Sequence, residues 1–486
     1  MSVLVVGAGP AGTSTAIALA LGGIPVRIVD RAEFPRPRIG ESLPPKVGAL
    51  LEQLGALEAV DSAGFARMSG TNVLDGDALS VHDFDPDRRA LGYQVDRARF
   101  DQLLLNRAAA VGARVELGTA LFSAQPVGAE VEVRLRSRGT EASERFRWVV
   151  DASGSSGVLA RALGLKRREE LRTVALSAYW RGARRVGPSA SYNTFFETRA
   201  DGWCWLVHRA DGSMNLSFGL DPEAVQASGA EYTYQRQVSS SAWLQEVLEG
   251  ARREDEVSVF DATWARAERF IGPGFLLVGD AASVIDPLTS QGVYKALQSG
   301  LAAAASLRTI LERPAQAALA EQYYQDTQAR FYASYAETAV TFYRGSRQAA
   351  APFWAARARP ALGPSPVDDP ARGARRRTLS AQIGARGGQG LFLRAGPALR
   401  TAEIPIAERG FIVSRTCLAA QGAPIALPPE VDGPRLAALL DGRSLEAVFE
   451  AYAASSGQSA SAVLGRSLMS ALLVLAEHDL LEIREG

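Results

Sequence analysis

Four stretches of this chain hold residues whose types and spacing could do chemistry. The first is Gly7-Ala8-Gly9-Pro10-Ala11-Gly12, three glycines at the G-x-G-x-x-G spacing, with Asp30 further on. In that pattern the first Gly allows a tight turn and the second lets backbone approach a pyrophosphate. The third lets a helix pack close to a strand, and an acid such as Asp30 holds a ribose hydroxyl. The second stretch runs from Gly279 and Asp280 through Asp286 and Pro287 to Gln291, Gly292 and Val293. Asp280 can accept from sugar-like hydroxyls. The free N–H groups near Gln291, Gly292 and Val293 would carry the positive end of a helix and suit a delocalised anion. The third is Trp203-Cys204-Trp205-Leu206-Val207-His208. As a strand it places Trp203, Trp205 and Val207 on one side and Cys204, Leu206 and His208 on the other. The fourth set is the histidines. His82 and His208 are the acid–base candidates and His478 reads as surface, with no metal-ligand spacing among them.

The elements that must position these groups are legible around them. Residues 3–6 are an apolar strand, 13–21 continue as a helix, and 25–30 form the next strand ending in Asp30. Pro10 fits the first turn of the helix, where its missing N–H costs nothing. Residues 275–278 read as a short buried strand before the Gly279 loop, and 294–311 as a long helix after it. Between them, 48–57 and 98–111 read as helices and 113–116 as a strand. Residues 131–135 and 146–150 form a hairpin pair that leads into Asp151. Asp201-Gly202 and Asp211-Gly212 are hairpin turns. They separate strands 192–198, 203–208 and 214–219, a three-stranded meander. This alternation predicts an α/β chain: a doubly wound Rossmann-like domain with an inserted antiparallel, α+β substrate sheet.

Composition narrows the setting. A chain of 486 residues predicts two or three domains. Lys plus Arg and Asp plus Glu number 53 each, so net charge offers no argument for nucleic acid or a membrane surface. Lysines stand only at Lys46, Lys166 and Lys295. Cys204 and Cys417 are too few and too far apart for a disulfide framework or a metal site, which points to a reducing cytoplasm. A strand from residue 3 leaves no room for a signal peptide, and no apolar run reaches a spanning length.

Three motifs in order carry a family resemblance: Gly7 to Gly12; Asp151-Ala152-Ser153-Gly154-Ser155-Ser156-Gly157; and Gly279-Asp280 with Asp286-Pro287. With them stand Arg36-Pro37-Arg38-Ile39-Gly40-Glu41-Ser42 and Tyr93-Gln94-Val95-Asp96-Arg97. Over about residues 1–355 the chain resembles the FAD-dependent aromatic hydroxylase superfamily. More narrowly, it resembles the branch of flavin-dependent, tryptophan halogenase-like enzymes and their monooxygenase relatives, peptidyl-tryptophan hydroxylases included. The resemblance implies FAD. The cofactor-binding residues expected are Gly7, Gly9, Pro10, Ala11, Gly12, Asp30, Arg31, Arg38, Ser42, Arg97, Gly279 and Asp280. Pro287, Gln291, Gly292 and Val293 are expected at the flavin ring, and Trp203 and Trp205 as pocket wall. Trp203 to His208 is similar to the halogenase Trp-x-Trp-x-Ile-Pro signature, with Val207 and His208 in place of Ile-Pro. A halogenase-like chain would also carry a Lys in the strand after the Gly-Glu-Ser helix. Residues 64–71 here contain Arg67 and no Lys, and an always-protonated guanidinium is a poor substitute for an amine.

The expected domains are an FAD-binding domain (1–75, 93–172 and 260–311), a substrate sheet domain (76–92 and 173–259) and a helical segment (312–360). A linker (361–390, with Arg375-Arg376-Arg377) and a C-terminal domain (391–486) follow. In the last, Ser444 can cap a helix bearing Leu445, Val448, Phe449 and Tyr452, and Ser461 one bearing Leu464, Leu468, Leu472 and Leu475. This part resembles a PqqD-type winged-helix peptide-binding module, which implies a substrate residue within a peptide or protein. The expected activity is FAD-dependent monooxygenation of an electron-rich indole or phenol, peptidyl Trp included. No second G-x-G-x-x-G marks an NADPH site, so a separate flavin reductase is an expected partner, with direct NADPH binding left open. The alternatives are a flavin-dependent halogenase, an isoprenoid-type flavin reductase and a non-catalytic peptide-binding flavoprotein.

Overall fold

A computed structural model of the chain describes residues 3–84, 90–185, 192–358, 379, 381, 391–420, 423–425, 427–428, 431–456 and 462–485. The chain divides into two compact units, residues 1–362 with 409–411, and 363–408 with 412–486. The expected linker lies outside the described residues, apart from Leu379 and Ala381, as does the cluster Arg375-Arg376-Arg377.

The first unit contains a six-stranded sheet in the order Ile271–Gly272, Phe275–Leu277, Trp148–Asp151, Val3–Val6, Val26–Asp30, Arg114–Leu117. All neighbours are parallel except the pair at the Ile271 edge. Val3–Val6 and Val26–Asp30 are buried along their whole length, as strands covered on both faces must be. The chain leaves Val3–Val6 toward one side and returns later on the other. That makes the carboxyl end of this strand a topological switch point, where ligands of open α/β sheets bind. Gly7, Asp30, Asp151 and Gly279 all stand at carboxyl ends of these strands, which is how motifs far apart in sequence come together. The long helix Gly292–Glu312 crosses the first helix, Pro10–Leu21, at near backbone contact. A Cβ on Gly300 would lie 2.0 Å from Ser14 Oγ and 2.6 Å from the Ala11 carbonyl oxygen.

The second large sheet has the path Arg252–Arg253, Val174–Arg181, Ser213–Leu220, Gly202–His208, Thr194–Arg199, Gly70–Asp75, Ala78–Asp83. The expected meander is its centre. Gly70–Asp75, assigned above to the FAD-binding part, instead pairs in parallel with Thr194–Arg199 and belongs to this sheet. Residues 48–57 do not make one helix: Val47–Gln53 and Leu57–Asp61 are separate, with Gly55 at φ +64° between them. One face of the second sheet presents Leu176, Ala178, Cys204, Leu206, Leu216 and Phe218. These pack on Tyr234, Val238, Leu244 and Val247 of the helices that follow.

The second unit buries a core of its own. Leu445, Val448 and Tyr452 of helix Leu445–Ser456 meet Leu464, Leu468, Leu472 and Leu475 of helix Ala462–Glu477 in one cluster. Ser444 Oγ accepts from Ala447 N at 3.2 Å, the expected cap. Ser461 lies outside the described residues. No described helix is long and apolar enough to cross a membrane.

Candidate functional site

Two helix N-termini open into the crevice without a side-chain cap: Pro10–Leu21 after Gly9, and Gly292–Glu312 after Gln291. Asp96, Ser241 and Asp432 cap their helices through a side chain, while other helices away from the crevice, such as Val47–Gln53 and Ala317–Gly345, also begin without one. Free N–H groups at an uncapped end need an acceptor, and an anionic ligand supplies one.

The glycine loop is shaped for close approach. Gly7 sits at φ +112°, and a Cβ there would lie 2.3 Å from the Ala152 carbonyl oxygen. A Cβ on Gly12 would strike the Gly7 carbonyl oxygen at 1.9 Å. Asp30 is fixed from both sides, Oδ2 accepting from Ala8 N at 2.8 Å and Oδ1 from Ala32 N at 2.9 Å. Over Gly9 lies Arg36, whose Nη2 is 3.5 Å from where that Cβ would be. Its Nε and Nη1 are buried with no hydrogen-bond partner, and the carboxylates of Asp30 and Asp101 stand at 3.8 and 3.9 Å. Burial, followed by the charge of Arg38, holds its pKa below the usual arginine value. A buried guanidinium with two nitrogens lacking a hydrogen bond, beside an uncapped helix end, fits the pyrophosphate of a dinucleotide. Sequence reasoning missed Arg36, although it stands inside the quoted segment. Its neighbours Arg31 and Arg38 are exposed.

Arg97 is buried and internally paired. Its Nε and Nη2 hold Asp101 at 3.0 and 3.1 Å, and Nη1 donates to the Ile39 carbonyl oxygen at 2.8 Å. Asp280 is half exposed, with Oδ1 3.1 Å from the ammonium of the buried Lys295. Lys295 also donates to the Ser283 carbonyl oxygen, so this lysine ties down the Gly279–Ser283 turn. Burial lowers its pKa despite Asp280. Asp286 is buried and accepts from Leu288 N, Trp264 Nε1 and Tyr343 Oη at 2.9, 2.9 and 2.8 Å. It thereby shapes the turn Pro287–Thr289, after which Ser290 takes φ +51°. Ser290 Oγ reaches the Ser42 carbonyl oxygen at 3.2 Å, and Ser42 Oγ bonds Gln94 and Thr194 at 2.7 and 2.8 Å. The Gly-Glu-Ser segment therefore clasps the 287–293 loop to the second sheet. Pro287 and Gly292 are exposed, Val293 is buried, and Gln291 Oε1 is buried without a partner.

The sheet face turned toward this loop is ordered in cross-strand rows. Tyr179, Asn215, Val207, Thr194 and Thr71 form one row, and Ser177, Ser217, Trp205, Phe196 and Val73 the next. Trp203 stands in the third, opposite Gly219, where any Cβ would lie 2.0 Å from its ring. Glu41 reaches across to the first row and bonds the hydroxyl of Tyr179. Burial raises the Glu41 pKa, against the lowering by the Tyr179 and Gly40 hydrogen bonds. Trp205 is half buried with its ring edge-on to Phe196 at 5.5 Å, so it keeps a free surface.

The two histidine candidates part here: His82 pairs with Thr71 at the outer end of the first row, whereas His208 does not share that face. His208 alternates with Trp205 and Val207, lies on the helix-packed side and is 5 % exposed; burial pushes its pKa down to about 4. His82 is exposed on the edge strand, with Nε2 3.0 Å from Ser80 Oγ. Among the described residues, no group of three His, Cys, Asp or Glu side chains could hold a metal ion.

Residues 1–338 match the family described as FAD binding domain. A tryptophan 2-halogenase of Chondromyces crocatus is 31% identical over 366 residues, 73% of this chain and 70% of that one. The crystal structure of CmlS, a flavin-dependent halogenase, superposes with a TM-score of 0.82 at 25% identity, covering 100% of this chain and 96% of that one. The fold is also shared with QhpG, a peptidyl tryptophan dihydroxylase essential for tryptophylquinone cofactor biogenesis. There the TM-score is 0.66 at 24% identity, over 96% of this chain and 98% of that one.

Proposed function

This chain belongs to the FAD-binding family of flavin-dependent oxidoreductases that includes the flavin-dependent halogenases, and on that premise we propose that it transfers oxygen to an electron-rich aromatic ring, an indole or a phenol. FAD is its cofactor. Bound and reduced, FAD with O₂ supplies the electrophilic oxygen; the chain need supply no nucleophile. Gly9, Asp30, Arg36 and the free end of helix Pro10–Leu21 would hold the adenosine diphosphate half. Asp280 would hold the linking polyol, and the free end of helix Gly292–Glu312 the ring. The tight clasp of Ser290 on Ser42 and the packing of Leu288 against Phe196 and Trp203 would keep water from the reacting ring. Trp205 and Phe196 would orient that ring.

The observation that carries oxygen transfer over halogenation is the strand Ala66–Met68. Its buried positions are Ala66 and Met68. Arg67 faces outward, its Nη1 2.8 Å from Asp61 Oδ1 and its guanidinium stacked over Tyr93 at 4.0 Å. The halogenase-like lysine would have to point inward from the stretch 64–71, and Met68 and Thr71 stand there instead. The three lysines of the chain are engaged elsewhere: Lys295 on Asp280, Lys166 on the Ser155 carbonyl oxygen, and Lys46 over the ring of Tyr294. Halogenation is the second reading, favoured by the similarity to the tryptophan 2-halogenase.

The substrate class we favour is Trp within a peptide or small protein, docked through the C-terminal unit and oxidised during cofactor or peptide maturation. Two things support it: a C-terminal unit with a separate core, and a fold shared along nearly the whole chain with a peptidyl tryptophan dihydroxylase. A cytoplasmic flavin reductase would supply the electrons. The test mixes the anaerobically reduced FAD protein with oxygen, with and without bromide, over indoles, phenols and Trp peptides. A bromide-independent gain of oxygen mass is expected, larger for peptides than for free indole. A bromide-dependent product would overturn oxygen transfer in favour of halogenation.

A further inference from the structure

Three polar side chains stand together on the face of the second sheet that carries Trp205 and Phe196, where apolar residues would pack at lower cost. Asn215 Nδ2 donates to Ser177 Oγ at 2.8 Å, while Ser217 Oγ lies 2.7 Å from Asn215 Oδ1 and 2.9 Å from Ser177 Oγ. Each hydroxyl has one proton. With the Ser217 proton on Asn215 Oδ1, Ser177 donates to Ser217, and the three bonds close into a ring. A closed ring holds each atom in place and leaves defined capacity unused. Ser217 Oγ keeps one lone pair, and Asn215 Nδ2 keeps one N–H with no acceptor among the described residues. Ser217 is also the most exposed of the three, at 8 % against 2 % for the others.

The register fixes where this capacity points. Ser217 pairs directly with Trp205, and Trp205 with Phe196. Neighbouring strands are about 4.8 Å apart. That spacing matches one ring radius plus part of a hydrogen bond of about 3 Å. A ring lying against Trp205 and Phe196 would therefore bring an atom of its own perimeter, or one attached directly to it, to Ser217 Oγ. A polar group on a long tail would overshoot.

Resting on oxygen transfer to an aromatic ring, we propose that the Ser177–Asn215–Ser217 ring is a specificity site for a heteroatom-bound proton on the reacting ring: an indole N–H or a phenol O–H given to Ser217 Oγ, with Asn215 Nδ2 donating back when that atom is an oxygen. The substrate is selected by this proton as well as by the flat aromatic surface.

The experiment uses the full-length FAD protein with 3-methylindole and 1,3-dimethylindole, which differ only at the ring nitrogen, N–H against N–CH₃; retention of the preference in Ser217→Thr, which adds bulk but keeps the hydroxyl, separates the hydrogen bond from the size of the methyl group. Binding is read from perturbation of the oxidised flavin spectrum, and turnover from kcat/KM with the reduced enzyme and oxygen. The native protein should prefer 3-methylindole by about tenfold, the effect of losing one hydrogen bond in a desolvated site. Ser217→Ala should erase the preference, and Ser217→Thr, which keeps a hydroxyl, should retain most of it. FAD content and melting temperature confirm that both variants fold, and Asn215→Leu gives an independent route to the same loss. Equal handling of the two indoles by the native protein, or an unchanged preference in Ser217→Ala, would overturn the proposal. A binding preference without oxygenated product would support this site while removing the oxygen-transfer reading, so the two fail separately.

Discussion

Trp203 and Trp205 stand two residues apart on one strand and point to the same side of one sheet, yet their surroundings differ. Trp203 is 2 % exposed and lies in a cluster with Phe196, Leu288, Tyr343, Phe353 and Trp354, with Gly219 hollowed beneath it. Trp205, one row along, has Ser217 on one side, Phe196 on the other and part of its ring free. What separates them is the cover. Helices Ala317–Gly345 and Pro352–Arg357 close over the Trp203 row, with Trp354 Nε1 bonded to the Arg199 carbonyl oxygen at 2.6 Å. Alternation along a strand assigns a face; it does not assign a lid.

That contrast is open to direct attack. The largest effect expected is from Trp203→Ala, a loss of about 3–5 kcal/mol of folding stability from the cavity it leaves. Chemical denaturation should show it, with the surviving folded fraction still binding FAD. Trp205→Ala should behave in the opposite way: a melting temperature near native and kcat/KM down about 30- to 160-fold. That follows from losing about 2–3 kcal/mol of apolar contact with the substrate. Equal melting losses in the two variants would erase the distinction between core and pocket wall. Arg36→Ala should weaken FAD binding by about 10- to 100-fold, as expected for removing a charge-assisted contact. Fluorescence titration of the apoprotein would measure it, and unchanged affinity would remove Arg36 from the cofactor site.

The smallest effect concerns the opposite face. Burial lowers the His208 pKa to about 4, below its unfolded value of about 6.5. The fold therefore prefers the neutral ring. This contribution is complete above pH 6.5 and is lost as pH falls from there toward about 4. His208→Gln should flatten that segment of the stability–pH curve and leave turnover at neutral pH unchanged. A change in the pH profile of kcat would instead make His208 an acid or base of the reaction.

The local geometry of the glycine loop is legible in the sequence. Gly7, Gly9, Gly12 and Asp30 follow from local rules, because the demands on them come from backbone within a single strand–turn–helix unit. The alternation from Trp203 to His208 was equally local, and the structure keeps it. Arg36 was not legible. Three arginines crowd residues 31–38, and only folding shows that Arg36 turns over Gly9 while its neighbours stay exposed. Asp280 is legible as an acid, but its pairing with Lys295 is not, since only folding turns that lysine of helix Gly292–Glu312 back onto the Gly279–Ser283 turn. Gly70–Asp75 was placed in the wrong layer because a strand's sequence states that it must pair and not with whom.

The sequence by itself determined the local units: the glycine turns, the uncapped helix starts, the acid at the end of a strand, and the side to which each strand residue points. Those depend on neighbours a few positions away, through sterics, φ/ψ preference and a period of two. Tertiary structure alone decided which of these units meet. It brought the Gly-Glu-Ser segment onto Tyr179, assembled Ser177, Asn215 and Ser217 from two strands, and covered one tryptophan while leaving the other open. Those outcomes rest on register and on packing between residues far apart in the chain, quantities that no local pattern carries.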